Sequence, residues 1–372
     1  MSGVVDAGYS VFSAQNGTAA KVTQSGIGYS NNDTSRFQIK AVEDIGSGIK
    51  AGTTIESTLA TNPRSNFGDA TKPVAASTTN FDLTGRGQTV DATKLGDRIL
   101  TADLTVGAHT INAGNQAIIT RSVAVGFQAD GSNFIGNLVG NDGNTTTRVP
   151  AINYTFNAGH GVNLSAAYMN NTKKNSTAAN ESKTGNGYGL KAEYANGPWA
   201  AGAVMSKQTT NNAATTKDTA LNTAGTGVTL ASQLLSPQAT VGSATKNVEL
   251  TMAVLGVSYD FAPVKVYGQY ATVENKDTLS TTYANSDKRH AMSAGARYAI
   301  GDSYLFAQVS TGKNQITGTN TDRDWKGYSL GYKHYLSKRT LAYVGTGKAE
   351  FGTGATTKST VKETAFGLQH NF

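Results

Sequence analysis

The stretch FGLQHNF at 366–372 puts Phe366, Leu368, His370 and Phe372 on one side and Gly367, Gln369 and Asn371 on the other. Successive side chains of a β-strand point to opposite faces, so this segment reads as a strand with one bulky face and one small, polar face. Many similar segments precede it. The pattern predicts a closed sheet whose final strand pairs with its first, with the bulky face against lipid and the polar face against water.

Composition points the same way. The 372 residues are 38% hydrophobic and include 42 glycines, poor material for a conventional core of that size; the mean hydropathy is -0.33. No stretch approaches the roughly 20 apolar residues of a membrane helix, whereas a tilted spanning strand needs only about 9 to 11 residues with alternate ones apolar. A β-barrel is the membrane architecture that remains open. The 6 prolines avoid the strand segments except Pro150, which sits near a strand end, where its missing N–H is tolerated.

Cysteine is absent, which excludes disulfide frameworks, thiolate catalysis and Cys-based metal sites. The start, MSGVVDAGYS, lacks a basic region followed by an apolar one, so no signal peptide is expected within this sequence. The net charge of +7 could draw anionic lipid, small anions or nucleic acid. Lys and Arg are scattered singly, which disfavours a nucleic-acid face.

About sixteen strand candidates emerge from the alternation. The clearest rows are Val162, Leu164, Ala166 and Tyr168; Leu190, Ala192 and Tyr194; Ala253, Leu255, Val257, Tyr259 and Phe261; Met292, Ala294, Ala296, Tyr298 and Ile300; and Tyr328, Leu330 and Tyr332. A soluble sandwich would alternate too. The recurrence of Tyr168, Tyr194, Tyr259, Tyr298 and Tyr332 near strand ends favours the interfacial girdle of a transmembrane barrel.

Connections alternate in length. Short turns are expected at 44–47, 157–160, 196–197, 262–263, 301–302 and 336–339. Long polar segments occupy 13–33, 61–96, 119–145, 172–184, 209–246, 276–287, 315–323 and 352–360. Short turns on the periplasmic rim and long loops on the extracellular rim are the outer-membrane arrangement. Segments 172–184 and 209–246 could instead be linkers, but the same strand pattern resumes after each, so 1–372 reads as one barrel domain.

With these segments on the page, the chain resembles the general porins of Gram-negative bacteria, most of all the β-proteobacterial trimeric type with anion-preferring relatives. The resemblance is carried by GVVDAGYS at 3–10, SRFQIKAVEDIGSGIKAG at 35–52, GNGYGLKAEYANGP at 185–198, LGVSYDFAPVKVYGQY at 255–270, YSLGYKHYLSKRT at 328–340 and FGLQHNF at 366–372. Each motif alone is weak; their order and spacing are not. The resemblance implies a sixteen-stranded antiparallel barrel in a bacterial outer membrane, in contact with its lipid and lipopolysaccharide. It also implies a homotrimer, with trimer contacts on the first and last strands near Val5, Ala7 and Tyr9, and a third loop folded inward.

That third loop is expected at about 119–145. It is the least polar of the long segments, and Val123, Val125, Phe127, Phe134, Ile135, Leu138 and Val139 suit packing against the barrel wall. An extra strand or short helix across the lumen is the alternative, and either narrows the channel.

What the lumen presents at its narrowest point sets the passage of solutes. Under the family's phase, Arg36, Lys40, Lys50, Lys191, Arg297 and Lys333 face inward, against Asp6, Glu56, Asp103, Glu193 and Glu363. Arg36 and Lys40 are the candidates for a basic ladder at the constriction, with Arg121, Asp130 and Arg148 beside them. For Lys50, Lys191, Arg297 and Lys333 a solvated wall position without selective role is the equal alternative. The anion-preferring relatives place arginines at positions that align with Asn115 and Asn153, both uncharged here, so the resemblance implies a weaker anion preference.

Enzymatic readings find little support. The 5 histidines, His109, His160, His290, His334 and His370, show no HxH or HExxH spacing. His160 falls in a short turn, His334 and His370 fall in outward rows, and Asp287 near His290 reads as a surface contact. The glycines of GNGYG lie in a strand pattern with no helix after them, unlike a phosphate-binding loop. The expectation is a passive channel for small ions and hydrophilic solutes, with no cofactor, metal or catalysis. The alternatives are an adhesive or structural barrel, or a more specific phosphate or dicarboxylate uptake channel.

Overall fold

The computed structural model describes residues 1–16, 18, 21–29, 32–59, 95–129, 134, 139, 148–170, 186–210, 248–277, 286–316, 323–352 and 358–372. Its strands are β1 (Ser2–Asn16), β2 (Val22–Tyr29), β3 (Arg36–Gly46), β4 (Ile49–Thr58), β5 (Ile99–Val106), β6 (His109–Ala117), β7 (Arg148–Gly159), β8 (Val162–Asn170) and β9 (Asn186–Asn196). They continue with β10 (Trp199–Thr210), β11 (Val248–Phe261), β12 (Val264–Asp277), β13 (Ser286–Ile300), β14 (Ser303–Ile316), β15 (Arg323–Tyr335), β16 (Thr340–Phe351) and β17 (Ser359–Asn371). A helix, α1 (Arg121–Gly126), lies between β6 and β7. At six residues it cannot span a bilayer; the strands do the crossing.

The strands pair antiparallel in sequence and β17 returns to β1, so the sheet closes on itself; among the described residues β2 pairs on one side, with β1. At the seam the Gly3 amide donates to the Phe372 carbonyl at 2.8 Å and the Phe372 amide donates back at 3.0 Å. The predicted pairing of the last strand with the first is what closes the barrel.

The seventeen strand segments make a sixteen-stranded barrel because β2 and β3 are two lengths of one barrel strand. Ala7 of β1 pairs with Tyr29 and Val4 pairs with Arg36, so the chain covers in seven steps (29 to 36) what β1 covers in three (7 to 4). The surplus detours into the lumen under the control of Asp6. Its fully buried carboxylate accepts the amides of Asn32 at 2.5 Å and Asp33 at 2.8 Å, while Tyr343 donates its hydroxyl at 2.7 Å. A carboxylate held by three donors fixes the detour in place. The expected long loop at 13–33 is therefore corrected: β1 runs to Asn16, and β2 occupies 22–29. Thr23, Ser25, Gly26 and Gly28 gave β2 too little apolar alternation to be recognised.

Register separates the two faces along every strand. The outward rows carry Leu164, Leu190, Leu255, Met292, Leu330 and Phe366, all exposed on the barrel's outside as a lipid-facing band requires. Aromatic rings gather at the end with short turns, where Trp199 and Tyr259 meet at a tilt with centroids 4.5 Å apart and His109 and Phe156 stack at 5.0 Å. Towards the other end Tyr168 and Tyr188 pair across β8 and β9. The buried apolar cluster lies inside the barrel, between the segment after β6 and the inner wall.

Candidate pore constriction

The segment after β6 turns into the lumen and packs on the wall. Ile119, Val123, Ala124 and Phe127 join Val204 of β10 and Val254 of β11 in one buried cluster, and Phe134 joins Phe306 of β14 and Tyr343 of β16 in another. Inward glycines make the room. A Cβ on Gly256 would overlap the Phe127 ring, and one on Gly345 would lie 2.5 Å from the ring of Phe134. Loop residues with large apolar side chains thus meet wall positions that have none, which seats the loop against the wall.

Polar clamps finish the seating. Gln269 of β12 donates to the carbonyls of Val123 at 3.0 Å and Ala124 at 2.9 Å, occupying acceptors that a helix end leaves open. Gln308 of β14 accepts the Ala129 amide at 2.8 Å, and Arg297 of β13 donates its Nε to the Ala129 carbonyl. Lys191 of β9 donates to Ser122 at 3.0 Å. The described part of the expected third loop, 119–129 with Phe134 and Val139, turns inward, and the short-helix alternative is also met, since α1 forms its first turn and a half.

The wall from β3 to β7 carries the charge. Arg36 sits 2.8 Å from Asp33 on the inward detour and 3.7 Å from Glu56 of β4. Arg98, just before β5, lies 2.6 Å from the other Glu56 oxygen and is itself buried. Thr58 donates its amide and hydroxyl to Asp97, both at 2.9 Å. Arg121 opens α1 within the field of Arg36, Arg98, Asp33 and Glu56. Burial holds its guanidinium below the ordinary arginine value, the neighbouring Arg98 adds to the effect, and Glu56 opposes it. Arg148, at the start of β7, lies in the field of Arg98, Arg121, Glu56 and Asp97. Its Nε and Nη1 are enclosed yet have no hydrogen-bond partner among the described residues. Among the described residues this part of the wall gathers four guanidiniums (36, 98, 121, 148) and three carboxylates (33, 56, 97).

Between α1 and β7 to β9 the lumen forms a recess of about 420 Å³, lined by Arg121, Ser122, Asn153, Thr155, Ser165 and Lys191. Fixed cations beside a passage walled by protein act on ions with little screening, because the surrounding dielectric is low.

The Gram-negative porin profile matches residues 1–354. The chain belongs to the Gram-negative porin family. The porin shares its fold with an anion-selective porin from Comamonas acidovorans at a TM-score of 0.67 and 19% identity, covering 100% of this chain and 98% of that one. OmpT of Vibrio cholerae, solved in a trimer form, matches at a TM-score of 0.61 and 12% identity, with 100% and 99% covered. The outer-membrane channel DcaP of Acinetobacter baumannii gives 0.60 and 12%, with 100% and 97% covered. No curated protein sequence matches it. The porin is an outer-membrane diffusion channel, and the described part of the loop, with the arginines beside it, lies within its lumen.

The candidate residues divide. Arg36 and Arg148 both lie within the field of Arg121 on this wall. Lys40 is on the inward row of β3 opposite Thr54, exposed and four residue pairs away from Arg36 towards the short turns, outside the cluster. Asn153 faces inward and donates to Gln116 at 2.7 Å. Asn115 is corrected: it pairs with Leu100 and Pro150 on the outward row, and Gln116 takes the inward place. The flanking INAGNQA has polar residues on both faces, so its phase could not be read from alternation. Asp130 lies outside the described residues. Arg98 and Asp33 were not anticipated. Neither stands within a recognisable alternating row: one precedes β5 after a long polar stretch, and the other belongs to the detour.

Proposed function

We propose that the porin is a general diffusion channel for small hydrophilic solutes and ions that prefers anions, and that it works as a homotrimer in contact with outer-membrane lipid and lipopolysaccharide. One barrel domain spans 1–372, and transport proceeds without a cofactor or covalent chemistry. The observation that carries the anion preference is the gathering of Arg36, Arg98, Arg121 and Arg148 beside the inward loop, with Asp33, Glu56 and Asp97 as the neighbouring carboxylates among the described residues. A passing anion gains from the field of these guanidiniums and is not retained, as conduction requires.

The Comamonas porin's anion selectivity and the trimer form of OmpT support the two finer parts of this reading. Outward Val5, Tyr9, Val11, Phe366 and Leu368 on β1 and β17 give a contiguous apolar surface across the seam, suited to a subunit contact. Reversal potential across a KCl gradient in a planar bilayer is the test. A potential set by chloride supports the reading; one set by potassium overturns the preference, and absence of current favours an adhesive barrel.

A further inference from the structure

Below the constriction loop, towards the short turns, the lumen opens into a second basic space. It has a volume of about 870 Å³ and is lined by Asp260, Lys265, Tyr267, Arg297, Tyr304 and Tyr335, together with the adjoining turns. Every one of these six side chains belongs to an inward row. The guanidinium of Arg297 lies between two aromatic rings, 5.5 Å from the centre of Tyr267 and 5.0 Å from that of Tyr304. Lys265 lies 5.6 Å from the Tyr267 centre. Just above, buried Lys333 lies 5.8 Å from Tyr304 and 5.2 Å from Phe306.

This arrangement differs in kind from the constriction. There, carboxylates cancel much of the charge of Arg36 and Arg98. Here, tyrosine faces hold Lys265 and Arg297 without neutralising them, because a ring quadrupole attracts a cation but carries no net charge. Asp260 and Asp302 border the space, yet neither forms an ion pair with Lys265 or Arg297 among the described residues. Asp260 accepts the Ala262 amide at 3.3 Å instead. Arg297 donates Nε to Ala129 of the loop, which leaves its Nη donors unclaimed among the described residues. A guanidinium pinned by two rings and one hydrogen bond is preorganised, and its planar fork matches the two oxygens of a carboxylate or phosphate.

We propose that this vestibule is a low-affinity binding subsite for small oxyanions, carboxylate or phosphate, which an anion occupies on its way between the constriction and the periplasmic mouth. The inference rests on reading the channel as anion-preferring and adds a second station at the other side of the loop. Arg297 belongs to both stations, since it grips the loop from below.

Single trimers or monomers conducting in KCl, inserted from one side, are titrated with inorganic phosphate added at the short-turn face. Phosphate is expected to reduce the chloride current in a saturating manner. In Lys265→Gln/Arg297→Gln the concentration for half reduction should rise by about tenfold, the scale of losing a charged bidentate contact. Because Arg297 also holds Ala129, Lys265→Gln alone, which touches no loop residue, is the companion variant, and a shift in the same direction of about threefold is expected. A chloride-set reversal potential together with phosphate reduction that is absent, or identical in wild type and both variants, overturns the vestibule subsite and leaves the anion-preferring channel standing. A potassium-set reversal potential overturns both.

Discussion

Arg98 Nε lies 2.6 Å from Glu56 Oε1, and the second oxygen of Glu56 lies 3.7 Å from Arg36 Nε. One carboxylate therefore answers two guanidiniums on adjacent parts of the inner wall. Removing its charge changes the sign balance of the constriction more simply than removing any arginine, because the arginines stay where they are.

Glu56→Gln keeps an oxygen to accept from Arg98 and the shape of the wall, and it deletes one negative charge. The chloride-to-potassium permeability ratio from reversal potentials should rise on the order of threefold, as expected for one charge acting across several ångströms of partly screened space. A ratio unchanged from wild type would place Glu56 away from the ion path.

Arg36 and Arg148 should respond differently to replacement. Arg36 has Nη1 committed to Asp33 and to the Thr34 carbonyl, both at 2.8 Å, so it acts on passing ions through its field. Arg148 has enclosed donors with no partner among the described residues, which an anion seated against the loop would satisfy. Alanine at either position lowers the anion preference. Lysine should restore most of it at 36, where charge is what counts, but only part at 148, where the planar fork of donors is lost. Equal rescue at both positions in KCl reversal-potential measurements would contradict the distinction.

The loop should detach before the barrel fails. Phe127 fills the space left by Gly202 and Gly256, and Phe→Ala in a packed site costs about 3 to 5 kcal/mol. That loss falls on the seat of α1, whose removal leaves the strand ladders intact. Phe127→Ala is expected to raise single-channel conductance and current noise while thermal unfolding in detergent stays close to wild type. A large fall in unfolding temperature with unchanged conductance would mean that the ring supports the barrel and not the loop.

Much of this architecture was legible because a bilayer imposes one rule at every strand. The rows ending in Tyr168, Tyr194, Phe261 and Ile300 announced their outward face, and Val123, Phe127 and Phe134 marked a loop too apolar for a solvated surface. The constriction was legible only in part. Arg36, Arg121 and Arg148 are recognisable as cations near the right loop, but their partners depend on contacts distant in sequence: Asp33 is positioned by Asp6 and Arg98 by Glu56. At Asn115 the phase failed for a local reason. Gly114, at φ +136°, is flanked by small and polar residues on both faces, so nothing in the sequence distinguishes lipid from lumen there.

The assignment of faces has its own test on β8, where Leu164 and Ser165 are neighbours in sequence and opposite in direction. Leu164 is exposed on the outward row opposite Phe156, and Ser165 lies on the inward row opposite Thr155 and borders the recess beside Arg121 and Lys191. Arginine at 164 must enter the lipid-facing band, at a cost of up to about 1 kcal/mol at the depth of the Phe156 girdle ring, less than the ~2 to 4 kcal/mol of the midplane. Arginine at 165 enters water and adds a cation to the recess. Urea titrations of folding into lipid vesicles should therefore show Leu164→Arg destabilised and Ser165→Arg close to wild type. Reversal potentials should show the opposite ranking, with Ser165→Arg more anion-preferring and Leu164→Arg unchanged. Exchange of these two outcomes would mean that β8 is read one residue out of phase, and with it every strand whose register is traced through β7 and β9.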